Sequence, residues 1–574
     1  MHRAFRERRR RRRAWRWSLA VALVAALVYM ATAYGDPSSS TGGGAGAGGP
    51  STGTGGRSVR AEVTVAAHAP MIAVPQSFLG LSTEYWALPL WSSQMPLLER
   101  VLAMVKVRGG GPLVLRVGGD SADHSFWDPD QLPMPRWAFS IAPSWLGQAN
   151  QLVRTLGVRL ILDLNLLTDS PTQAAEWAHA AERALPRGSI IAFEVGNEPD
   201  IYSRAAWLAI TAGRQYLGRA LPRAVTASDY VHDFRVYAEA LEDVAPDVTL
   251  AGPALARPHT DADWVRALVA GADGSVGEVT VHRYPYGGCA HPGSRNYPTI
   301  RRLLSLQATA GIAASVRPDV VAAHDAGLPL RMTELNSVNC GGLAGVSNSF
   351  ATALWAPDAL FELVRAGVDG VNLHVRADTI NAPFAITSSG LVARPLLYGL
   401  ILFARALGPQ ARLVTPSTEA PASANLRTWV VRTGSDTLRV VLLDKGRRSV
   451  RVSLRLPATG IATVQRLIAP SAASVSGVTL GGQQLGADGR WQGTPVREVV
   501  RRRADTYTVQ LRRASAALLS VRVAPGALGA QLPTPAAVVP SGAPALERRS
   551  SSLTNGRRLR AAGRAPRAVR SRHR

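Results

Sequence analysis

From residue 76 onward the apolar positions of this chain fall into short runs that end in polar tips. The runs are FLGLSTEYW (78–86), PLVLRVGGD (112–120), RLILDLNLL (159–167), IIAFEVGNE (190–198), VTLAGPA (248–254), EVTVHRY (278–284), LPLRMTELN (328–336) and GVDGVNLHV (367–375). Between most of them lie amphipathic stretches at helical spacing, such as SWLGQANQLVRTLG (144–157) and FRVYAEALEDVAP (234–246). Eight such runs alternating with helices predict an α/β fold, a (β/α)8 TIM barrel over 76–410. The runs are almost continuously apolar, as suits strands covered on both faces. A doubly wound open sheet is the competing architecture, but no glycine-rich dinucleotide fingerprint follows the first run. LVARPLLYGLILFARAL (391–407) reads as the closing helix.

After residue 411 the helical period gives way to alternation. TWVVRTG, TLRVVLLDK, SVRVSLRLP, TVQRLIAP, TYTVQLRR and AALLSVRVAP are strands parted by turn residues, which predicts an antiparallel β-sandwich over 411–523. Residues 58–75 also alternate and are expected to join that sandwich, tying the two ends of the ordered chain together.

The flanks differ in kind. Residues 1–34 hold an arginine-rich start followed by the uncharged apolar run WSLAVALVAALVYMATAY (17–34), read as a signal peptide or a signal anchor. Either reading exports the main domain, with the basic flank on the cytoplasmic side. We read the run as an anchor in preference to a cleaved leader, because the basic flank is long. Residues 35–57 form a Gly/Ser-rich linker, and 524–574 a Pro/Ala- and then Arg-rich tail, both expected to be disordered.

Charge changes this picture little. The net charge is +25, but nine arginines fall in 1–16 and ten in 524–574. Lys106 and Lys445 are the only lysines among 65 basic residues, a skew that looks like base composition and not like ligand selection. No nucleic-acid motif is present, so no nucleic-acid partner is expected. The tail reads as a solvated arm, with an acidic glycan as the alternative partner. The two cysteines, Cys289 and Cys340, lack metal-ligand spacing. They follow the sixth and seventh runs, adjacent strands of the ring, so a disulfide is expected in an exported protein; two free thiols are the alternative. No metal or other cofactor is expected.

Candidate chemistry sits at two strand tips. In the fourth run Pro199 ends the strand and biases Glu198 towards extended backbone, leaving a carboxylate at the C-terminal mouth. Glu334 ends the seventh run, across the same mouth. Hydrolysis of a glycosidic bond needs two such carboxyl groups, one protonated and one ionised. The set of strings SFLGLSTEYW, LRVGGDSAD, VGNEPD, VHRYPYGGC, TELNSVNCGG and FATALWAPD, in this order, resembles glycoside hydrolase family 79, the β-glucuronidase and heparanase-like enzymes, over residues 60–523.

That resemblance implies a retaining enzyme with Glu198 as acid/base and Glu334 as nucleophile. It further implies that Asn197 meets the sugar's 2-hydroxyl, that Tyr284 orients Glu334, and that Arg116 keeps Glu334 ionised. Tyr286 is the alternative orienting phenol. Glu84 and Tyr85 are expected to line the pocket or to pack beside it. Asp120 stands where relatives carry Asn or Thr, and its sugar contact is open. His282 and His374 are read as hydrogen-bonded barrel residues, and Glu194 as an interior or ion-paired acid. The expected partner is a carbohydrate, a β-linked uronic-acid glycoside. The alternatives are a β-glycosidase for neutral sugars and a non-catalytic glycan-binding envelope protein.

Overall fold

In a computed structural model of the protein, residues 58–202, 225–377, 379–421 and 423–523 are described. The leader or anchor, the linker and the C-terminal tail lie outside them. Among the described residues no helix is long and apolar enough to cross a membrane.

Eight parallel strands close into a barrel: β1 (Leu79–Glu84), β2 (Val114–Gly118), β3 (Arg159–Leu164), β4 (Ile190–Val195), β5 (Thr249–Leu255), β6 (Val276–Arg283), β7 (Leu330–Leu335) and β8 (Gly370–His374). Each falls within or beside one of the apolar runs. The alternation inside those runs divides the barrel into two environments. Leu115, Val117, Leu160, Leu162, Phe193 and Val195 belong to the large core shared with the surrounding helices. Val114, Ile161, Ala192 and Ala251 form a separate small cluster. Two positions on from the first three of these stand Arg116, Asp163 and Glu194, all buried. With a side-chain period of two, the barrel lumen is therefore apolar at its N-terminal end and charged at its C-terminal end.

One register break matters for chemistry. Pairing between β6 and β7 shifts between Val281 and His282, so that His282 stands beside Glu334. Pairing of β7 with β8 is also irregular between Met332 and Leu335. A regular strand would send Thr333 and Glu334 to opposite faces. Here Thr333 Oγ1 donates to Glu194 Oε1 at 2.8 Å while Glu334 reaches Arg116 at 3.2 Å, so both enter the lumen. Such irregularities commonly re-aim a side chain next to a site.

The sandwich has a four-stranded sheet and an eight-stranded one. Val59–Thr64 enters the smaller sheet, parallel to Val450–Arg455, and Met71–Ala73 pairs with Arg412–Val414 of the larger. Alternation again sorts the side chains. Val430, Val440 and Leu519 face the sandwich interior. Val431, Val441 and Leu518 join the barrel core. The larger sheet is thus buried on both faces, and it seats the barrel helices Phe350–Ala366 and Pro395–Ala406. Short strands between Thr479 and Val500 add to this side. They were not expected from the sequence, because that segment is glycine- and glutamine-rich and does not alternate.

A charged latch fastens barrel to sandwich. Buried Asp358 of the barrel helix accepts from Lys445 Nζ (2.6 Å), Arg427 Nε (3.0 Å) and Trp429 Nε1 (2.9 Å). Burial raises the pKa of Asp358, but the charges of Lys445 and Arg427 outweigh it and leave the carboxyl below its ordinary value. Its contribution is therefore complete above the usual aspartate pKa and is lost as the pH falls through the lowered one. Asp358→Ala strands a buried lysine, and it should destabilise the fold by about 3–5 kcal/mol near neutral pH. Urea unfolding checks this; a loss under about 1 kcal/mol would match an exposed pair and refute the latch.

Candidate active site

The C-terminal mouth of the barrel opens into a cavity of about 770 Å3 whose lining includes Asp120, Glu198, Tyr284, Glu334, His374 and Arg376. At its base lies Arg116, completely buried on β2. Nε donates to Glu194 Oε2 at 2.7 Å, Nη2 to Asn197 Oδ1 at 2.9 Å, and Nη1 to Glu334 Oε2 at 3.2 Å; Nη2 also lies 2.6 Å from Asp163 Oδ2. Burial disfavours the guanidinium charge, but Asp163, Glu194 and Glu334 outweigh it and raise its pKa. Three carboxylates around one cation cannot all stay ionised. Burial first, then the neighbouring Glu194 charge, pushes Asp163 well up, whereas Glu194 is held low. The surroundings therefore favour the protonated form of Asp163 and the ionised form of Glu194. Gly118 makes room for this arrangement, since a Cβ there would lie 2.0 Å from Asp163 Oδ2.

Glu334, on β7, is the ionised member of the mouth. Burial would raise its pKa, but His374, His282 and Arg116 and the Tyr284 hydrogen bond bring it down to about 2. The Tyr284 phenol donates to Oε1. His374 Nδ1 stands 3.6 Å from Oε2, and its Nε2 stands 3.6 Å from Glu84 Oε1. Burial lowers the pKa of His374, yet the Glu334 and Glu84 charges raise it overall.

Glu198 follows β4. Its backbone is left-handed (φ 53°, ψ 49°), not extended as Pro199 led us to expect. The turn is held by Glu198 N–H donating to Ala254 O at 3.0 Å and Ile201 N–H donating to Glu198 O at 3.0 Å. A non-glycine residue held there carries strain of order 1–3 kcal/mol, which the surrounding contacts maintain. Burial, then the charges of Glu334 and Asp120, push its carboxyl well above the usual range. His282 Nδ1 lies 3.1 Å from Glu198 Oε1 and 3.9 Å from Glu334 Oε2. Burial brings His282 down to about 4, so it is neutral at pH 7.

Facing oxygens of Glu198 and Glu334 come within 4.8 Å of each other and of a His282 ring nitrogen. This spacing could in principle hold a cation, but charged Arg116 already occupies the neighbourhood of Glu334. Two carboxyl groups with facing oxygens this close, one favouring its protonated and one its ionised form, are arranged as double displacement requires.

The other expected residues are placed as follows. Asn197 keeps Nδ2 buried with no partner among the described residues. Asp120 pairs with Arg376 at 3.0 Å, and burial followed by the Glu84 and Glu334 charges raises it to about 7. Glu84 is buried behind His374 and accepts from Ser121 N–H at 2.8 Å, so it supports the wall of the cavity. Tyr85 does not reach the cavity: its hydroxyl donates to Asp163 O at 2.6 Å, and its ring packs on Trp145 and Trp177. Tyr286 lines the cavity, but its hydroxyl donates to Arg302 O at 3.0 Å, which leaves Tyr284 as the phenol on Glu334. Cys289 and Cys340 are bonded, Cα–Cα 5.9 Å apart, and beside them Tyr286–Gly287 pairs with Val338–Asn339. The loops after β6 and β7 are thus joined at the rim.

Sequence reasoning did not single out Asp163, Thr333 or Arg376. An acid within the apolar run RLILDLNLL was the available signal for Asp163. Nothing local marked the other two.

Comparison with known proteins now adds to this geometry. Residues 422–518 match the glycosyl hydrolase family 79 C-terminal beta domain. A β-glucuronidase of Aspergillus niger is 24% identical over 450 residues, 69% of this chain and 79% of the relative. A β-glucuronidase of Neurospora crassa is 24% identical over 385 residues, 61% of this chain and 66% of the relative. Among solved structures, a 4-O-α-L-rhamnosyl-β-D-glucuronidase from Fusarium oxysporum superposes with a TM-score of 0.65 at 17% identity, covering 80% of this chain and all of that one. A family 51 arabinofuranosidase from Xanthomonas axonopodis reaches 0.60 at 16%, covering 81% of this chain and all of that one; both likenesses concern the fold. The barrel, its carboxyl pair and the following sandwich define a (β/α)8 glycoside hydrolase. Within that class the chain resembles glycoside hydrolase family 79, whose C-terminal beta domain matches residues 422–518.

Tyr284→Phe removes one hydrogen bond from an ionised carboxylate. The Glu334 pKa should rise from about 2 by roughly one to two units. Carboxyl-carbon NMR titration of the variant checks this, and an unmoved Glu334 resonance would show that the phenol does not tune it.

Proposed function

We propose that the chain hydrolyses β-linked glucuronides with retention of configuration, Glu334 acting as nucleophile and Glu198 as acid/base. The observation that carries this reading is the close carboxyl pair with opposed pKa directions. Ionised Glu334 attacks the anomeric carbon while protonated Glu198 gives its proton to the departing glycosidic oxygen. Once Glu334 is esterified its charge is gone, and the carboxyl of Glu198 falls in pKa. It then takes a proton from the incoming water, and the glycosyl–enzyme bond breaks. Asn197 Nδ2 is available to meet the sugar's 2-hydroxyl while Oδ1 stays on Arg116.

A uronic-acid substrate is supported by the names of the curated relatives and by the charge of the cavity. Arg257, Arg283 and Arg376 line it. Arg257 is matched by Asp200 and Asp261, and Arg376 by Asp120. Arg283 donates to Ser315 Oγ at 3.0 Å and to Tyr284 O, but no acid among the described residues neutralises it. A cavity with a surplus cation favours an anionic sugar. The disulfide suits an exported enzyme, and the apolar run at 17–34 supplies the route, as leader or anchor.

With 4-nitrophenyl β-glycosides, the glucuronide should show the highest kcat/KM; a glucoside or xyloside ahead of it would refute the substrate class. Glu334→Ala should lower kcat by about 10⁴-fold or more. Azide should rescue that variant by forming the α-glycosyl azide, and undiminished hydrolysis without azide would refute the assignment. Activity should fall as the pH rises through the raised Glu198 pKa, because the acid form is lost, and Glu198→Gln should abolish that limb in kcat/KM for substrates whose good leaving groups need no acid, while turnover of poor leaving groups collapses.

A further inference from the structure

A second cavity, of about 630 Å3, lies at the seam between barrel and sandwich. Its lining includes Lys106, Arg108, Arg405, Arg439 and Arg497 and no aspartate or glutamate. None of the five forms an ion pair among the described residues. Lys106 Nζ donates to Leu156 O at 2.8 Å, and Arg439 Nη1 to Arg405 O at 2.9 Å. Arg405 lies over the Trp491 ring at 4.9 Å and reaches Gln465 Oε1 at 3.5 Å. Arg108 and Arg497 are exposed and have no polar partner among the described residues. Burial, and then the Arg497 charge, lower the pKa of Arg405.

Abundance of arginine does not account for this gathering. Some sandwich arginines find acids, as Arg455 meets Glu62 and Asp505 and Arg466 meets Glu498. Others, such as Arg451, Arg512 and Arg513, form no ion pair among the described residues but do not line this groove, so its mark is the convergence of five cations on one cavity. Lys106 and Arg439 cap carbonyls near helix C-termini, which is a structural use for two of the five. The remaining three, converging without counter-charge, repel one another until an anion enters. The cations come from the turn after helix Met95–Val105, from helix Pro395–Ala406, from strand Thr437–Asp444 and from the loop before Glu498–Val500, and this spread fits an extended polyanion better than a single small ion. Thr437, Thr463 and Ser520 hydroxyls and the Gln465 and Gln483 amides share the groove and match sugar hydroxyls in kind.

We propose that this seam groove is a second, non-catalytic site that binds a polyuronate chain. The choice of a carboxylated glycan over other polyanions rests on the proposed function; the cationic groove does not.

The test uses the full chain and measures affinity for polygalacturonate, with neutral dextran as the uncharged control. R108E/R497E should weaken polygalacturonate binding by roughly tenfold or more, two charged hydrogen-bonding groups being lost. R447E/R448E makes the same change of net charge at an exposed turn outside the groove, and it should weaken binding by less than about twofold. Turnover of a small chromogenic glucuronide should be unchanged in both. Equal weakening by the two double variants would overturn the proposal in favour of diffuse attraction to the basic protein. So would binding of neutral dextran as tight as that of polygalacturonate, or single-stranded DNA that binds as tightly and loses the same factor in R108E/R497E. If the charge reversals perturb folding, R108Q/R497Q gives the same comparison against R447Q/R448Q. A wild-type chain inactive on glucuronides would count against the proposed function alone, because the groove is read by binding.

Discussion

The buried guanidinium of Arg116 is the constraint on which the site depends. It stands where the lumen turns from apolar to charged, and it binds groups from β3, β4 and β7 at once. Without its charge, Glu194 would lose the largest offset to its desolvation and Glu334 one of the several charges and hydrogen bonds that keep it ionised. With it, their ionised forms are favoured while burial and the Glu194 charge push Asp163 towards its protonated form. The same cation fixes Asn197 through Oδ1 and so orients its free amide. One residue thereby sets both the charge of the mouth and the position of a neighbouring donor.

The remaining parts distribute that charge. His374 and Tyr284 add to the stabilisation of Glu334 on two sides, and the register breaks in β6 and β7 are what bring His282 and Glu334 into the lumen. Glu198 has the opposite environment: burial, two nearby negative charges and a neutral imidazole. Two chemically similar acids are pushed apart in pKa by their surroundings, the condition for one to attack while the other donates. Sandwich and disulfide act at a greater distance. The first braces the helices behind β7 and β8, and the second joins the loops at the rim.

Much of this was legible in the sequence. Period-two and helical patterns located all eight barrel strands and the six long sandwich strands, because burial on one or both faces writes itself into hydrophobic order. Glu198 and Glu334 could be read from polar tips on apolar runs, and the cysteines from loops on adjacent strands. What could not be read depends on register and on three-dimensional neighbours. The left-handed backbone of Glu198 is held by a hydrogen bond to Ala254 at the end of β5, which a Pro199 argument does not contain. Thr333 and Glu334 face the same way only because β7 breaks its ladder. Tyr85 is drawn out of the pocket by its hydroxyl's bond to Asp163 O, and Tyr286, although it lines the cavity, has its hydroxyl taken by Arg302 O and so does not reach Glu334.

In the proposed double displacement the close pair of Glu198 and Glu334 makes the sugar bond to the protein before water enters. Proton NMR of a glucuronide hydrolysis, recorded before mutarotation, tests it most directly. Retention gives the β-anomer of the free uronic acid first, with the α-anomer growing in only by mutarotation. An α-anomer formed first would mean inversion and would contradict it.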